Sequence, residues 1–257
     1  MRLSIIMPVF DEAGTIARIL CLVSAALPDV AKEVIIVDDG SRDGTREWLR
    51  ANVPGGELSA SRLTVGVDGT LESFDAPGAA PTTVRALYHD TNQGKGASIR
   101  NGLKEATGDV MVIQDADLEY DPADWTVMYD LIAGRRVADV VYGSRFYGRP
   151  HRSLYFHHYM ANRLISLAFN LLYNQTLTDI ECCYKMFTRS VNEQLRLTCD
   201  DFGCEVQISA QIARAGRWRI YEVGISYFGR TYEEGKKVTW RDGVKALWYL
   251  VRFRFAR

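Results

Sequence analysis

The apolar positions along the chain fall into short continuous runs, each closed by acidic or glycine-containing residues and followed by a stretch of helical period. Leu3-Ser-Ile-Ile-Met-Pro-Val9 leads into Phe10-Asp-Glu-Ala-Gly14. From Thr15 to Leu27 the residues Ile16, Ile19, Leu20 and Val23 recur at helical spacing, and Pro28 closes the pattern. Glu33-Val-Ile-Ile-Val37 ends in Asp38-Asp-Gly-Ser41, and a second helical stretch begins at Thr45. Strand, acidic turn, helix, repeated, predicts an open α/β domain: a Rossmann-like, mostly parallel sheet flanked by helices.

One stretch, 53–83, breaks this rhythm and is longer than the ~4–6 residues of an ordinary connection. Within it Leu63-Thr-Val-Gly-Val67 and Thr70-Leu-Glu-Ser-Phe74 flank Asp68-Gly69, a two-residue hairpin signal. A small inserted β-hairpin is expected ahead of the strand Val84–His89, with a loop of no structural consequence as the alternative.

Candidate chemistry gathers where the predicted strands end. In Val110-Met-Val-Ile-Gln-Asp-Ala-Asp-Leu-Glu-Tyr120 the acids Asp115, Asp117 and Glu119 alternate. If the strand continues through them, they share one face. Carboxylates so crowded raise one another's pKa unless a cation lies among them, and oxygen ligands suit Mg2+ or Mn2+ with substrate phosphates completing the shell. A solvated acidic turn is the alternative. Asp11, Glu12, Asp38 and Asp39 fall at the other strand ends, which is where ligands bind in such sheets.

Taken together, these motifs resemble the family 2 glycosyltransferases of GT-A fold. Met7-Pro-Val-Phe-Asp-Glu12 resembles the opening motif, Val37-Asp-Asp-Gly-Ser41 the next, Asn92-Gln-Gly-Lys-Gly96 the start of a helix, and Gln114-Asp-Ala-Asp-Leu-Glu119 the metal-binding element. Tyr142-Gly-Ser-Arg-Phe146, Thr178-Asp-Ile-Glu-Cys-Cys-Tyr-Lys185 and Phe228-Gly-Arg-Thr-Tyr-Glu-Glu-Gly-Lys236 resemble elements of the polyprenyl-phosphate branch, which includes the dolichyl-phosphate mannosyltransferases. The departures are Asp11 for Asn, Cys183 for Gly, Glu119 for Gln, and no Ser between Gly235 and Lys236.

The resemblance implies an inverting, metal-dependent hexosyltransferase that moves a sugar from a UDP- or GDP-linked donor to a polyprenyl phosphate at the cytoplasmic membrane face. It assigns residues 1–237 to the catalytic domain and 238–257 to a C-terminal amphipathic helix. Asp117 and Glu119 become the metal ligands; Pro8, Val9, Glu12, Asp39, Lys95 and Asp115 the nucleotide-sugar contacts. Lys95, at a glycine-flanked helix start, is expected to reach the nucleotide beside anion-attracting backbone donors. A lipid phosphate arrives ionised and needs cations rather than a base, so Arg145, Arg163, Arg230 and Lys236 are the acceptor-phosphate candidates. Asp117, Asp179, Arg145 and Arg230 form the expected catalytic set. Asp179 is the base candidate if the acceptor is instead a glycan or other hydroxyl. A non-catalytic nucleotide-sugar-binding module is the third reading. Glu181 and Lys185 are expected to pair at helical spacing.

Composition narrows the surroundings. Of 257 residues 47% are hydrophobic, and the formal net charge is −1, so the chain can bury a sizeable core and lacks the basic excess of a nucleic-acid binder. Five cysteines, an odd number without paired C-x-x-C spacing, predict free and mostly buried thiols in a reducing compartment. No leader precedes the first strand, and no apolar run reaches the ~18 residues of a membrane span, so a peripheral cytoplasmic location is expected. Trp248, Tyr249, Phe253 and Phe255 interleaved with Arg252, Arg254 and Arg257 make the C-terminal helix a membrane-surface candidate. The segment Tyr155–Tyr173 reads equally as a lipid-facing or a core helix. His151, His157 and His158 lack the i, i+4 pair of a helical zinc motif and are expected to form a polar rim. Association into a homo-oligomer is left open.

Overall fold

A computed structural model describes all residues except 55–56, 149, 154, 232, 234–239 and 256–257, and for 240–242 only the backbone. Lys236, expected to meet the acceptor phosphate, therefore lies outside the described residues.

The strands are β1 (Leu3–Val9), β2 (Lys32–Asp38), β3 (Glu57–Ala60), β4 (Arg62–Val65), β5 (Leu71–Phe74), β6 (Thr82–Tyr88), β7 (Val110–Ile113), β8 (Val140–Ser144), β9 (Lys185–Thr188) and β10 (Ile220–Gly224). Eight of them form one sheet in the order β10-β8-β9-β7-β1-β2-β6-β3. β1 pairs in parallel with both β2 and β7, β2 with β6, and β8 with β10; β9 runs antiparallel between β7 and β8. Six strands thus point the same way, and their carboxyl ends form one rim. β2 is buried along its whole length, as a central strand covered on both faces requires.

The helices are α1 (Ile16–Ala25), α2 (Thr45–Asn52), α3 (Lys95–Glu105), α4 (Trp125–Tyr129), α5 (Phe156–Tyr173), α6 (Arg189–Asn192), α7 (Gly203–Ala215) and α8 (Trp240–Phe255). The apolar positions singled out in α1, Ile16, Ile19, Leu20 and Val23, are all fully buried. α8 joins the body through Leu250 and Phe253, and its backbone is tied down by the Tyr173 hydroxyl, which donates to the Leu250 carbonyl at 2.8 Å. All five cysteines are free and four are buried.

The inserted hairpin exists, but its turn is not the expected two-residue one. β4 and β5 pair antiparallel with Val65 opposite Leu71. The Gly66 amide donates to Thr70 and the Gly69 amide to Gly66, with Gly69 at φ +81°. This is a three-residue connection closed by a left-handed glycine. The Asp68 carboxylate accepts from the Thr70 amide at 3.0 Å and its hydroxyl at 2.6 Å, and those bonds hold Asp68 outside the two-residue geometry. The same insertion supplies β3, which the pattern did not reveal and which pairs antiparallel with β6 as the sheet edge.

Candidate active site

A cavity of about 1560 Å³ opens along the carboxyl rim of the sheet. Pro8 and Val9 from β1, Asp39 after β2, Asp115 and Asp117 after β7 and Arg145 after β8 line one end. The other end runs beneath α5 and α8, where Phe156, Leu164, Val244 and Leu247 line it.

The acidic triplet does not ride on a strand. β7 ends at Ile113, and Leu118 sits at φ +63°, a left-handed conformation that costs an L-residue roughly 1–2 kcal/mol. A tight turn, rather than strand alternation, brings Asp117 and Glu119 to one place. What they meet there is Arg230: its guanidinium lies 2.8 Å from Asp117, 3.4 Å from Glu119 and 3.4 Å from Glu12. The Arg230 amide also donates to Glu119 at 2.9 Å. Burial, Asp115 and Glu119 push the Asp117 carboxyl up to about 7.

Among the described residues no group of three or more His, Cys, Asp or Glu side chains is arranged to hold a metal ion, the three histidines included. The donors Asp117 and Glu119 nevertheless fit a hard divalent ion of the magnesium kind, which takes one or two carboxylates and completes its shell with waters and phosphates. Here the Arg230 guanidinium supplies the positive charge that such a carboxylate group demands.

Asp115 belongs to a deeper network. Lys95 Nζ lies 2.9 Å from Asp115 and 2.9 Å from Glu205, whose second oxygen lies 3.3 Å from Lys185. Lys95 is therefore an internal post that positions Asp115. The expected anion cradle at the start of α3 is also absent, because the amides of Gly96 and Ala97 both donate to the Asp200 carbonyl. Those glycines serve a close approach: a Cβ on Gly94, which has φ +100°, would stand 2.3 Å from the Asp200 oxygen. Gly94→Ala is accordingly expected to lower stability by about 2–3 kcal/mol, read as a fall in the urea midpoint.

Glu181 and Lys185 do not pair, since 179–184 is a turn that leads into β9 at Lys185, not a helix. Lys185 points instead to Glu205 and to the Cys182 carbonyl. Glu205 is the main site residue that sequence reasoning missed. Its signal was an acid inside a helical stretch that is otherwise apolar or small from Gly203 to Ile212, save Gln207 and Gln211.

Asp39 lines the cavity, but both its oxygens are engaged: His89 Nδ1 lies at 2.6 Å, and the amides of Gln93 and Gly94 donate at 2.8 and 2.7 Å. It holds the loop ahead of α3. Glu12 is buried and accepts from the Thr15 hydroxyl at 2.9 Å.

Of the cations expected to meet an acceptor phosphate, Arg145 makes a two-pronged contact with Asp179, Nε and Nη2 each donating at 2.7 Å. Asp179 is fully buried, and Glu222 fixes it from behind by accepting from the Thr178 and Asp179 amides. Burial opposes the charge on Arg145, but Asp179 outweighs it and keeps the guanidinium protonated. The Arg145 guanidinium stands 5.5 Å from the Tyr227 ring centre. Arg163 is elsewhere: it lies exposed on α5, 5.8 Å from the Phe146 ring, outside the cavity lining. His151, His157 and His158 do line the cavity.

Comparison with known proteins places this geometry. The profile of "Glycosyl transferase family 2" matches residues 4–59 and 67–196, the gap falling on the hairpin. The chain is 26% identical over 220 residues to the glycosyltransferase AglJ of Haloferax volcanii, covering 82% of this chain and 58% of that protein. It is 26% identical over 246 residues to the undecaprenyl-phosphate mannosyltransferase of Micrococcus luteus, covering 92% and 87%. In fold it is similar to glucosyl-3-phosphoglycerate synthase of Mycobacterium tuberculosis, solved with Mn2+, UDP and phosphoglyceric acid, with a TM-score of 0.68, 15% identity, and coverage of 100% and 79%. The expected GT-A architecture is the one found, and the chain belongs to glycosyltransferase family 2.

Proposed function

We propose that this protein transfers a sugar from a nucleoside-diphosphate sugar to a polyprenyl phosphate, with inversion at the anomeric carbon. The observation that carries this reading is the Arg145–Asp179 pair. The one acid expected to serve as a base, Asp179, is buried and gripped by both prongs of a guanidinium, so the cavity meets a fixed cation there in place of that base. A phosphate attacker needs that cation; a hydroxyl attacker needs the base. Similarity to an undecaprenyl-phosphate mannosyltransferase supports the same acceptor class, and the apolar end of the cavity suits a prenyl chain.

Asp117 and Glu119 would hold the divalent ion, which when bound supplies charge to stabilise the departing diphosphate. Arg230 then has to give up its contact with Asp117, leaving its guanidinium for phosphate oxygens. Asp115, fixed by Lys95, orients the donor's ribose side. Residues 1–237 make the catalytic unit in this reading, and α8 adds the membrane-facing element.

Arg145→Ala is expected to raise the requirement for acceptor by roughly tenfold to a hundredfold, the loss of one charge-assisted contact, while donor binding changes little. Arg145→Lys restores only part of it, because a point charge lacks the fork. Steady-state kinetics with varied polyprenyl phosphate check this; an unchanged acceptor KM contradicts it. Inversion is read from the anomeric proton of the product by NMR, an α-linked donor giving a β-linked product.

No helix among the described residues is long and apolar enough to cross a membrane. α5 buries Ile165 and Phe169 and exposes Phe156, Met160, Leu164, Leu167 and Leu171; α8 exposes Val244, Leu247, Trp248, Val251 and Phe255. Stripes at helical spacing with Arg252 and Arg254 beside them suit an anionic lipid surface. Replacing Trp248 and Phe255 together by Ser is expected to lower sedimentation with anionic vesicles several-fold and leave activity on a short-chain soluble acceptor intact.

A further inference from the structure

Glu181 is a cavity-lining acid that the roles assigned so far do not use. Its Oε1 is buried and has no hydrogen-bond partner among the described residues. Leaving such an atom unsatisfied is costly, and a native structure that does so calls for an explanation, such as a catalytic role or a bound group. The neighbouring cations are already committed: Lys185 and Lys95 to Glu205, Lys95 also to Asp115, and Arg145 to Asp179. Lys185 and Arg145 still draw the carboxyl down, but burial and the adjacent Glu205 outweigh them and push it up to about 7.

We infer that Glu181 recognises a hydroxyl group of the transferred sugar and helps decide which sugar the enzyme accepts. This rests on the nucleotide-sugar reading above. The turn that carries Glu181 runs from Asp179, held by Arg145, to Lys185, held by Glu205. Through Lys95 the Glu205 pair leads to Asp115 and the acidic turn where the diphosphate lies. The Arg145 pair holds the attacking phosphate. In an in-line transfer the sugar sits between the leaving and the attacking groups, and Glu181 lines the cavity from the turn that joins those two pairs. The ligand's other parts suit it poorly: a diphosphate is repelled by a carboxylate, and a prenyl chain offers no hydrogen bond. A sugar hydroxyl can donate to the carboxylate or accept from the acid. A buried polar group discriminates strongly, because a donor whose hydroxyl points elsewhere leaves it unpaired.

The test is binding and turnover in Mn2+ with UDP-glucose, UDP-galactose and GDP-mannose, beside UDP and GDP alone, for wild type, Glu181→Ala and Glu181→Gln. The expected result is that Glu181→Ala reduces the preference for the best sugar by at least tenfold while the Kd of the bare diphosphate moves less than twofold. Glu181→Gln, which keeps the shape and some hydrogen bonding, falls between. Unchanged sugar preference in both variants overturns the inference. So does a parallel loss of Mn2+ affinity, which would put Glu181 on the metal. Loss of turnover in Glu181→Gln at unchanged binding and preference, with a rate that follows deprotonation near neutrality, would make it a general base and overturn it too. Failure of wild type to bind any nucleotide sugar would instead defeat the underlying functional reading.

Discussion

Asp117→Ala is expected to abolish sugar transfer, lowering the rate by about a thousandfold or more, while the fold persists. The side chain projects from a turn into a cavity, so its loss opens no core. It also removes one member of a crowded acidic group: burial, Asp115 and Glu119 already push the Asp117 carboxyl up to about 7. Its removal relieves repulsion, and the urea midpoint is expected to stay constant or rise slightly. Arg230 keeps Glu119 and Glu12 as partners. What disappears is the charge that holds a divalent ion against the diphosphate, and losses of transition-state charge stabilisation run to about 10²–10³ for a single donor. Asp117→Asn should be nearly as inactive, since shape survives and charge does not. Excess EDTA should reproduce the loss in wild type and added Mn2+ reverse it. Transfer that proceeds normally in either variant would remove Asp117 from the metal site.

Glu205→Gln is expected to be the most destabilising of the conservative substitutions, by roughly 3–5 kcal/mol, because two lysines lose the carboxylate between them. Lys185 is fully buried and Lys95 largely so, and Glu205 lies 3.3 Å from the first and 2.9 Å from the second. Burial alone would raise the Glu205 carboxyl, but the two lysines outweigh it and hold it at about 2, against an ordinary 4.5. The sign follows from linkage. A carboxyl depressed on folding adds stability that is complete above about pH 4.5 and is lost as the pH falls through the folded value near 2. A shift of this size corresponds to roughly 3 kcal/mol. Urea unfolding at pH 7 and at pH 3 should show wild type losing more stability than Glu205→Gln over that interval. Equal losses would mean the network contributes nothing to acid sensitivity.

The framework of the fold was readable from local pattern. β1 occupies the predicted Leu3–Val9, and β2 exceeds the predicted Glu33–Val37 by one residue at each end. Long apolar runs with abrupt polar ends carry their own boundaries. The hairpin was found and its turn mistaken, because the Asp68–Thr70 hydrogen bonds compete with the two-residue geometry and spacing does not report them. β3 is a four-residue edge strand with only Ala60 buried, too short and too polar to leave a periodic trace.

The site was legible as a set of residues rather than as a geometry. Asp115, Asp117, Glu12, Asp39, Lys95, Arg145 and Arg230 all line one cavity. The partners of each are fixed by tertiary contacts that no spacing encodes: Asp179 and Arg145 are 34 residues apart, and Asp117 and Arg230 are 113. Local spacing suggested that Glu181 and Lys185 pair, and the lysine instead reaches across to Glu205, twenty residues on. That exchange leaves Glu181 facing the cavity.

The central claim is that a polyprenyl phosphate, held by guanidinium and needing no base, attacks the sugar. Its most direct test is a transfer assay in Mn2+ with radiolabelled nucleotide sugars, offering polyprenyl phosphate and simple glycans side by side, for wild type and Asp179→Asn. The account predicts label in the lipid phosphate fraction alone. Asp179→Asn should retain measurable transfer, with a raised requirement for acceptor met at higher concentration, because Arg145 loses its anchor rather than the reaction losing a base. Label in the glycans, with Asp179→Asn removing all transfer in a pH-dependent way, would contradict it.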